Sequence, residues 1–209
     1  MITTVGEKMK EFGIHRRDSL IITTIDIIDD LGIQGLSTRE IAKRENISEA
    51  TLFRHYKNKN DLLIAVLDYY AKFDEDLFHS VKLMELNACE AIRFYISATI
   101  EYYENYPALT SILQLFDALR YEKDLEGKVL EILSRRFKFM MELITQAKAD
   151  GLLSQDTKEE QLVDVISGIL LGVSLHWRST GRKFSLKQYT ISALDIVLKA
   201  NFKQKVLMV

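Results

Sequence analysis

The scarcity of chain-breaking residues is the feature that most constrains the fold. The 209-residue chain contains one proline and nine glycines. So few breakers leave long uninterrupted segments, which favour helices over many short strands. Apolar residues recur at spacings of three and four, beginning with Leu20, Ile21, Ile25, Ile28 and Leu31, as on one face of a helix. The sequence predicts an all-α protein of about nine helices and no sheet.

Composition narrows the functional classes. Apolar residues make up 47% of the chain and charged residues 28%, which excludes a disordered or fibrous protein. The net charge of −2 predicts no nucleic-acid or membrane partner for the chain as a whole, so only local charge can indicate one. Cys89 is the single cysteine, which excludes an internal disulfide and cysteine-cluster metal sites. We expect a cytoplasmic protein without a cofactor, a signal peptide or a membrane span.

Capping residues place the ends of the helices. Gly32 stops the first helix, and Ser37 stands three residues before Glu40, the spacing of a capping box. Asn46 suits the left-handed conformation that ends a helix, and Ser48 can cap the next helix. The predicted helices span residues 16–31, 38–45 and 49–56, a long segment from 59, and then 87–106, 107–119, 124–149, 159–179 and 186–202.

Residues 37–45 and 48–56 have the dimensions of a helix-turn-helix, whose second helix lies in the DNA major groove. Ile41, Ala42, Ile47 and Leu52 are expected to pack together between the two helices. Residues 37–60 contain six basic and three acidic residues, a local charge of +3, whereas the remaining residues sum to −5. Because phosphate neutralisation supplies most nucleic-acid affinity, this polarity indicates DNA binding.

Residues 20–66 resemble the TetR family of bacterial transcriptional regulators. The resemblance is carried by the Gly32 stop, Ser37, Ile41–Ala42, Ile47–Ser48, the run Thr51–Leu52–aromatic–x–His55–aromatic, Lys59 and Leu62–Leu63. The chain length and the all-helical remainder also match the family. Several positions depart from the family pattern: Asn46 and Ala50 stand where glycine is frequent, Phe53 where tyrosine is, and Thr23 and Thr24 where an alanine pair is usual.

The resemblance implies a role for individual side chains in DNA binding. Phosphate contacts are expected from Thr38, Arg39, His55, Tyr56 and Lys59. Base edges are expected to be read by Glu49, Ala50, Thr51, Phe53 and Arg54. Among these, Arg54 suits a guanine, Glu49 can accept from cytosine N4, and Phe53 can contact a thymine methyl. The alternative is that the charges form a solvated helix face and that His55 only caps its helix.

Beyond about residue 70 the resemblance weakens, and the chain is rich in aromatic residues at helical spacing. We expect Tyr102, Phe116, Met140 and Trp177 to line a pocket for a hydrophobic or flat aromatic effector; the alternative is that they are core residues. The last two helices carry wide apolar stripes, and the resemblance implies that they form a dimer interface. The candidates there are Ile169, Gly172, Leu194 and Val197, with packing inside one chain as the alternative.

The sequence therefore predicts two domains: a helix-turn-helix DNA-binding domain over residues 1–58 and a helical effector-binding and dimerisation domain over 59–209. The predicted function is a homodimeric repressor that a small hydrophobic or aromatic effector releases from a palindromic operator. The alternative is an effector-independent architectural or cell-cycle DNA-binding protein on the same fold. An enzyme is not expected, because the four histidines are scattered and no HExxH, GxSxG, Walker A or GxGxxG string occurs.

Overall fold

The computed structural model describes residues 16–203, and the chain forms nine α-helices within this part. The prediction of an all-α protein is confirmed. In chain order the helices are α1 (Arg16–Gly35), α2 (Thr38–Arg44), α3 (Glu49–Phe53), α4 (Lys59–Leu83), α5 (Ala88–Asn105), α6 (Leu109–Leu119), α7 (Glu126–Ala149), α8 (Glu159–Ser179) and α9 (Leu186–Asn201). No helix in the described range is long and apolar enough to cross a membrane.

The capping residues act mostly as the sequence predicts. Gly32 has φ 71° and ψ 175°, which interrupts α1, and Asn46 has φ 52° directly after α2. The Ser37 hydroxyl accepts from the amide of Glu40 at 3.1 Å, and Ser48 accepts from the amide of Thr51 at 3.2 Å. Only this half of the expected capping box forms at Ser37, because the Glu40 carboxylate pairs with the guanidinium four residues further along α2.

Helix α3 is shorter than the predicted 49–56 and ends at Phe53. The amides of His55 and Tyr56 both donate to the carbonyl of Leu52, at 2.9 and 3.1 Å, so the chain tightens into a turn. The ring of Tyr56 is buried in this turn. The ring therefore lies on the same side as the buried Leu52, four residues earlier.

Two compact units divide the described chain. The first comprises the residues up to Lys72 together with Ala108–Leu130, and the second comprises Phe73–Pro107 together with the residues from Glu131 onward. Helices α4 and α7 each begin in the first unit and continue into the second. These compact units are not the two predicted domains, whose boundary lies after residue 58. The assignment of DNA binding to residues 1–58 and of effector binding to 59–209 stays a prediction.

The first unit is built around α1, which packs against α2 and α6. The hydroxyl of Ser111 on α6 donates to Asp29 on α1 at 2.5 Å. Deeper in this unit, Tyr70 of α4 and Phe116 of α6 meet edge to face, with ring centroids 5.3 Å apart. Helix α6 therefore belongs to the same compact body as the predicted helix-turn-helix.

The second unit is built around α5, α8 and α9. Helices α5 and α9 run antiparallel, as their ion pairs show: Arg93 pairs with Asp195, and Glu101, later in α5, pairs with Lys187, earlier in α9. The carboxylate of Glu104 accepts from the amide of Leu186 at 2.8 Å, which satisfies the first turn of α9. Stacked aromatic rings lie between the helices. The ring centroids of Phe73 and Tyr102 are 4.1 Å apart, and those of Phe78 and Phe139 are 4.2 Å apart. The interior of this unit is consequently rich in apolar and aromatic side chains.

Candidate nucleic-acid interface

Helices α2 and α3 pack as the helix-turn-helix prediction requires. Ile41, Ala42 and Leu52 are buried between them, and Ile47 in the turn is half-buried. The amide of Ile47 donates to the carbonyl of Ala42 at 3.0 Å, which closes the turn. The crossing of the two helices is therefore set by apolar contacts and by the left-handed residue Asn46.

The residues predicted to read bases lie on the outer side of α3. Glu49, Ala50, Phe53 and Arg54 are exposed, and Thr51 is half-buried. Phe53 keeps 46% of its surface accessible, so its ring is open to a partner. An exposed ring at this place can contact a thymine methyl.

Hydrogen bonds orient the polar side chains on this surface. The hydroxyl of Thr38, at the start of α2, donates to the carboxylate of Glu49, at the start of α3, at 2.6 Å. The hydroxyls of Ser48 and Thr51 lie 3.0 Å apart, and Arg54 donates to Thr51 at 3.4 Å. Glu49 is thus oriented by Thr38, whereas the long bond from Arg54 constrains its guanidinium only weakly.

Some basic residues of this segment are paired with carboxylates, and others are not. Arg44 is neutralised by Asp30 at 2.7 Å and by Glu40 at 3.2 Å, and Lys43 lies 3.7 Å from Glu40. The cations that make no ion pair with any residue in the described range are Arg39, Arg54, Lys57 and Lys59. The positive charge available to phosphates therefore comes from the start of α2 and from the end of α3 onward, and not from the last turn of α2.

Tyr56 is placed differently from its prediction as a phosphate contact. It is only 2% exposed, and its hydroxyl donates to the carbonyl of Arg17 at 3.2 Å. Burial raises the pKa of the Tyr56 phenol, so the group stays protonated as a donor. Since the hydroxyl is already bound inside the unit, it is not available to DNA.

The structure adds Arg17, which sequence reasoning missed. Its guanidinium lies over the ring of Tyr56, 5.1 Å from the centroid, and the side chain is exposed. This arrangement brings a cation from the start of α1 next to the turn that follows α3. No local sequence pattern signals the contact, because residues 17 and 56 are brought together only by the packing of α1.

The four residues predicted to line an effector pocket do not share one unit. Phe116 packs in the first unit, whereas Tyr102, Met140 and Trp177 lie in the second. Met140 belongs to the apolar core there, and the indole of Trp177 donates to the carbonyl of Phe184 at 2.8 Å. An open groove of about 530 Å³ on α7 is lined by other residues: Phe137, Lys138, Met141, Glu142, Thr145, Gln146 and Ala149.

A buried ion pair in the second unit also went unpredicted, since the sequence shows no basic cluster or carboxylate pair there. Arg136 of α7 donates to both carboxylate oxygens of Asp74 of α4, at 2.7 and 2.9 Å, and to the hydroxyl of Tyr103 at 3.3 Å. All three side chains are largely buried. They come from three separate helices, so their proximity has no signature in local spacing.

The dimer-interface candidates lie on two different sides of the last helices. Leu194 has no exposed surface in the single chain and packs in the core, so it is unavailable to a partner. Ile169 and Val197 are half-buried, and Gly172 is exposed, with open space where a side chain would be. The large apolar side chains that point outward from α8 and α9 are Val165, Leu171, Leu175, Tyr189 and Ile196.

Comparison with known proteins gives a family match over the helix-turn-helix region. Residues 21–66 match the model of the family described as bacterial regulatory proteins, tetR family. The tetracycline repressor protein class C of Escherichia coli is 36% identical over 53 residues, which are 25% of this chain and 24% of that protein. This match thus spans only about a quarter of the repressor's length.

Longer matches have lower identity. The fatty acid metabolism regulator protein of Bacillus subtilis is 21% identical over 180 residues, 86% of this chain and 92% of that protein. The nucleoid occlusion factor SlmA of Salmonella newport is 27% identical over 126 residues, 58% of this chain and 62% of that protein. The crystal structure of the transcriptional regulator FadR from Bacillus subtilis with stearoyl-CoA superposes with a TM-score of 0.76 at 21% identity, covering 88% of this chain and 98% of that one. Such a likeness shows the same fold.

Proposed function

Because its N-terminal module belongs to the tetR family of bacterial regulatory proteins, we propose that this chain is a homodimeric repressor that binds a palindromic DNA operator. Helix α3 lies in the major groove, where Arg54 contacts a guanine and Glu49 discriminates at a cytosine. The protein acts in the cytoplasm as a regulator and not as an enzyme. The observation that carries the proposal is the exposed outer surface of α3, on which Thr38 orients Glu49.

Cations on both sides of α3 supply the affinity in this proposal. Those proposed to face phosphates are Arg17, Arg39, Lys57 and Lys59, and each is free of ion pairs with the described residues. Thr38 and His55 are proposed to add further contacts, for which the exposed Thr38 hydroxyl exchanges Glu49 for a phosphate oxygen as its acceptor. Since Tyr56 is buried, its contribution is to support Arg17. These contacts position the module but carry no sequence information.

We propose a dimer because a single helix-turn-helix has too small a contact area with DNA for tight specific binding. A two-fold dimer binds two half-sites and doubles that area. We place the interface on the outward apolar side chains of α8 and α9, together with Ile169, Gly172 and Val197. Ile196, with 70% of its surface exposed, is proposed to lie near its centre. Gly172 leaves room for a close approach of a partner helix.

Selection of binding sites from random duplex DNA tests this proposal, followed by titration of the selected duplex at several salt concentrations. We expect a palindromic site and a log–log salt slope of about −7, given four phosphate-facing cations in each of two subunits. A palindrome with a steep slope supports the dimeric regulator. If no sequence is enriched and only weak, salt-sensitive binding remains, the proposal of a specific repressor fails.

We further propose that the effector is a long acyl chain carried by coenzyme A. The fatty acid metabolism regulator matches most of this chain, and the FadR structure that shares its fold contains stearoyl-CoA. The interior of the second unit is apolar and aromatic, as an acyl chain requires. Tyr102, Met140 and Trp177 are proposed to contact the chain there.

Release from DNA is a shift between two states of the dimer. Helix α4 begins beside the helix-turn-helix and ends in the second unit, so a change at one end can alter the spacing of the two recognition helices. The effector releases DNA only if it binds the state with unsuitable spacing more tightly. We expect stearoyl-CoA to displace the selected duplex and free coenzyme A not to displace it. Tyr102→Ala should weaken this response while leaving DNA affinity unchanged.

One comparison favours a second candidate, an effector-independent DNA-binding protein of the cell-cycle or architectural type. SlmA, named as a nucleoid occlusion factor, matches 58% of this chain, and Met140 is packed in the core, as a filled interior requires. The same displacement assay separates the two candidates. Sequence-specific binding that no acyl-CoA alters favours the second.

A further inference from the structure

The carboxylate of Glu45, directly after α2, is completely buried, with 0% of its side chain exposed. It accepts from Arg16 at 2.9 Å, from Ser19 at 2.7 Å and from Thr23 at 2.5 Å. All three donors lie on one face of α1, at a spacing of three and four residues. The first two turns of α1 are therefore attached to the end of α2 through a single carboxylate.

A buried carboxylate is costly unless it is paired and hydrogen-bonded, so a fully satisfied arrangement specifies one orientation of its partners. The two hydroxyls and the guanidinium satisfy both oxygens of Glu45. Thr23 stands where alanine is usual in the resembled family, and its hydroxyl is one of these donors. An alanine at position 23 could not donate this hydrogen bond to Glu45.

The same two turns of α1 carry Arg17, and a second attachment acts on it. The hydroxyl of Tyr56 donates to the carbonyl of Arg17, and the ring of Tyr56 lies under its guanidinium. The start of α1 is consequently attached at two places, to Glu45 through Arg16, Ser19 and Thr23 and to the turn after α3 through Arg17. A rotation of α1 about its axis would break the Glu45 hydrogen bonds and move Arg17 away from that turn.

We propose that Glu45 is a positioning residue of the DNA interface: by holding the start of α1 against α2, it places the Arg17 guanidinium beside the DNA backbone. This inference rests on the proposed DNA-binding function. Glu45 itself touches no DNA, because it is buried. Its effect on binding therefore passes through Arg17.

A double-mutant cycle between Glu45 and Arg17 tests this role, measured on the full chain with the selected duplex. Arg17→Ala should weaken binding about fivefold and lower the salt slope by about 2 for a dimer. Glu45→Gln should also weaken binding, and in that background Arg17→Ala should have less than about a twofold further effect. A purely stabilising role would lower the melting temperature but leave the two substitutions independent.

Glu40→Gln is the matched control, because it makes the same chemical change on α2 at a carboxylate that pairs on the surface with Arg44. Because this substitution also frees Lys43 from its ion pair, we expect a modest rise in affinity. The effect of Arg17→Ala should nevertheless be the same with and without Glu40→Gln. If Glu45→Gln does not fold, Thr23→Val can replace it, because this substitution removes one donor to Glu45 and keeps the ion pair with Arg16. In the Thr23→Val background, too, Arg17→Ala should weaken DNA binding less than it does in the unsubstituted chain.

The outcomes separate the two proposals. If the unsubstituted chain selects no DNA sequence, the proposed function fails, and the role of Glu45 fails with it. If it binds a selected duplex but Arg17→Ala has the same effect with and without Glu45, only the positioning role is overturned. If Arg17→Ala weakens DNA binding in the unsubstituted chain but not in the Glu45→Gln background, the positioning role is supported.

Discussion

Each of the two units buries a carboxylate, and the two sites differ in what surrounds them. In the first unit Glu45 is held by two hydroxyls and a partly exposed arginine, next to the surface of the helix-turn-helix. In the second unit Asp74 is paired with Arg136 and surrounded by the aromatic interior. The first site is therefore placed to set the orientation of a surface, whereas the second holds the interior of its unit together.

The largest effect is expected from breaking the interior pair. Arg136→Met leaves Asp74 buried without its cation, which should lower the free energy of unfolding by about 3–5 kcal/mol. Urea unfolding followed by circular dichroism measures this decrease. The neighbouring Arg135 pairs with Glu75 on the surface, so Arg135→Ala should cost no more than about 1 kcal/mol. Equal effects of the two substitutions would contradict a structural role for the buried pair.

The next effect separates the two sides of α9. Leu194→Ala removes a side chain that is fully buried in the chain itself, so it should lower the free energy of unfolding by about 2–5 kcal/mol. Ile196→Ala, on the exposed side, should change the stability of the single chain by no more than about 0.5 kcal/mol but weaken self-association. Sedimentation at several protein concentrations measures the latter. Unchanged association of Ile196→Ala would remove this face from the proposed interface.

Base reading and phosphate binding should separate in the first unit. Arg54→Ala should relax the preference at one base pair of each half-site, a decrease in discrimination of about 1–3 kcal/mol there. Lys59→Ala should instead weaken binding to all duplexes alike and reduce the salt slope by about 1 for each phosphate that is no longer neutralised. Repeating the site selection with both variants measures the difference. A relaxed base position in Lys59→Ala would reverse the two assignments.

The smallest effect compares helix caps in the two units. Ser48 caps α3, and Asn87 caps α5 in a complete capping box with Glu90. Replacing either by alanine should cost about 1 kcal/mol of stability. Only Ser48→Ala should also weaken DNA binding, because its helix carries the reading surface. Thermal unfolding and DNA titration of both variants provide the measurement, and a DNA effect of Asn87→Ala would show that stability alone controls affinity.

Local signals explain why the first unit is largely predictable. The interruption at Gly32, the caps at Ser37 and Ser48 and the left-handed Asn46 each depend on neighbours within a few residues, and the structure contains all of them. Helix α3 ends at Phe53, earlier than its local sequence predicts, and a tightened turn over residues 52–56 follows it. Helix ends fray and often tighten in this way, so a terminal residue is the least predictable feature of a helix.

Side-chain direction in the last two helices cannot be predicted in the same way. Helix α9 has apolar residues on more than one side, so periodicity indicates a helix but not which side faces inward. Leu194 lies in the core, whereas Ile196, two residues later, is exposed. The effector-pocket candidates divide between two units for the same reason, since an aromatic residue has the same local pattern in a core and in a pocket.

The sequence by itself determined the all-α fold, most helix boundaries and the helix-turn-helix, because periodicity, capping and turn chemistry act over a few residues. Only the tertiary structure decided which cations remain unpaired, that Tyr56 supports Arg17, and that Glu45 and Asp74 find their partners at sequence separations of 29 and 62. Contacts at such separations depend on how whole helices pack. Their energies come from burial and pairing in three dimensions, which no short stretch of sequence specifies.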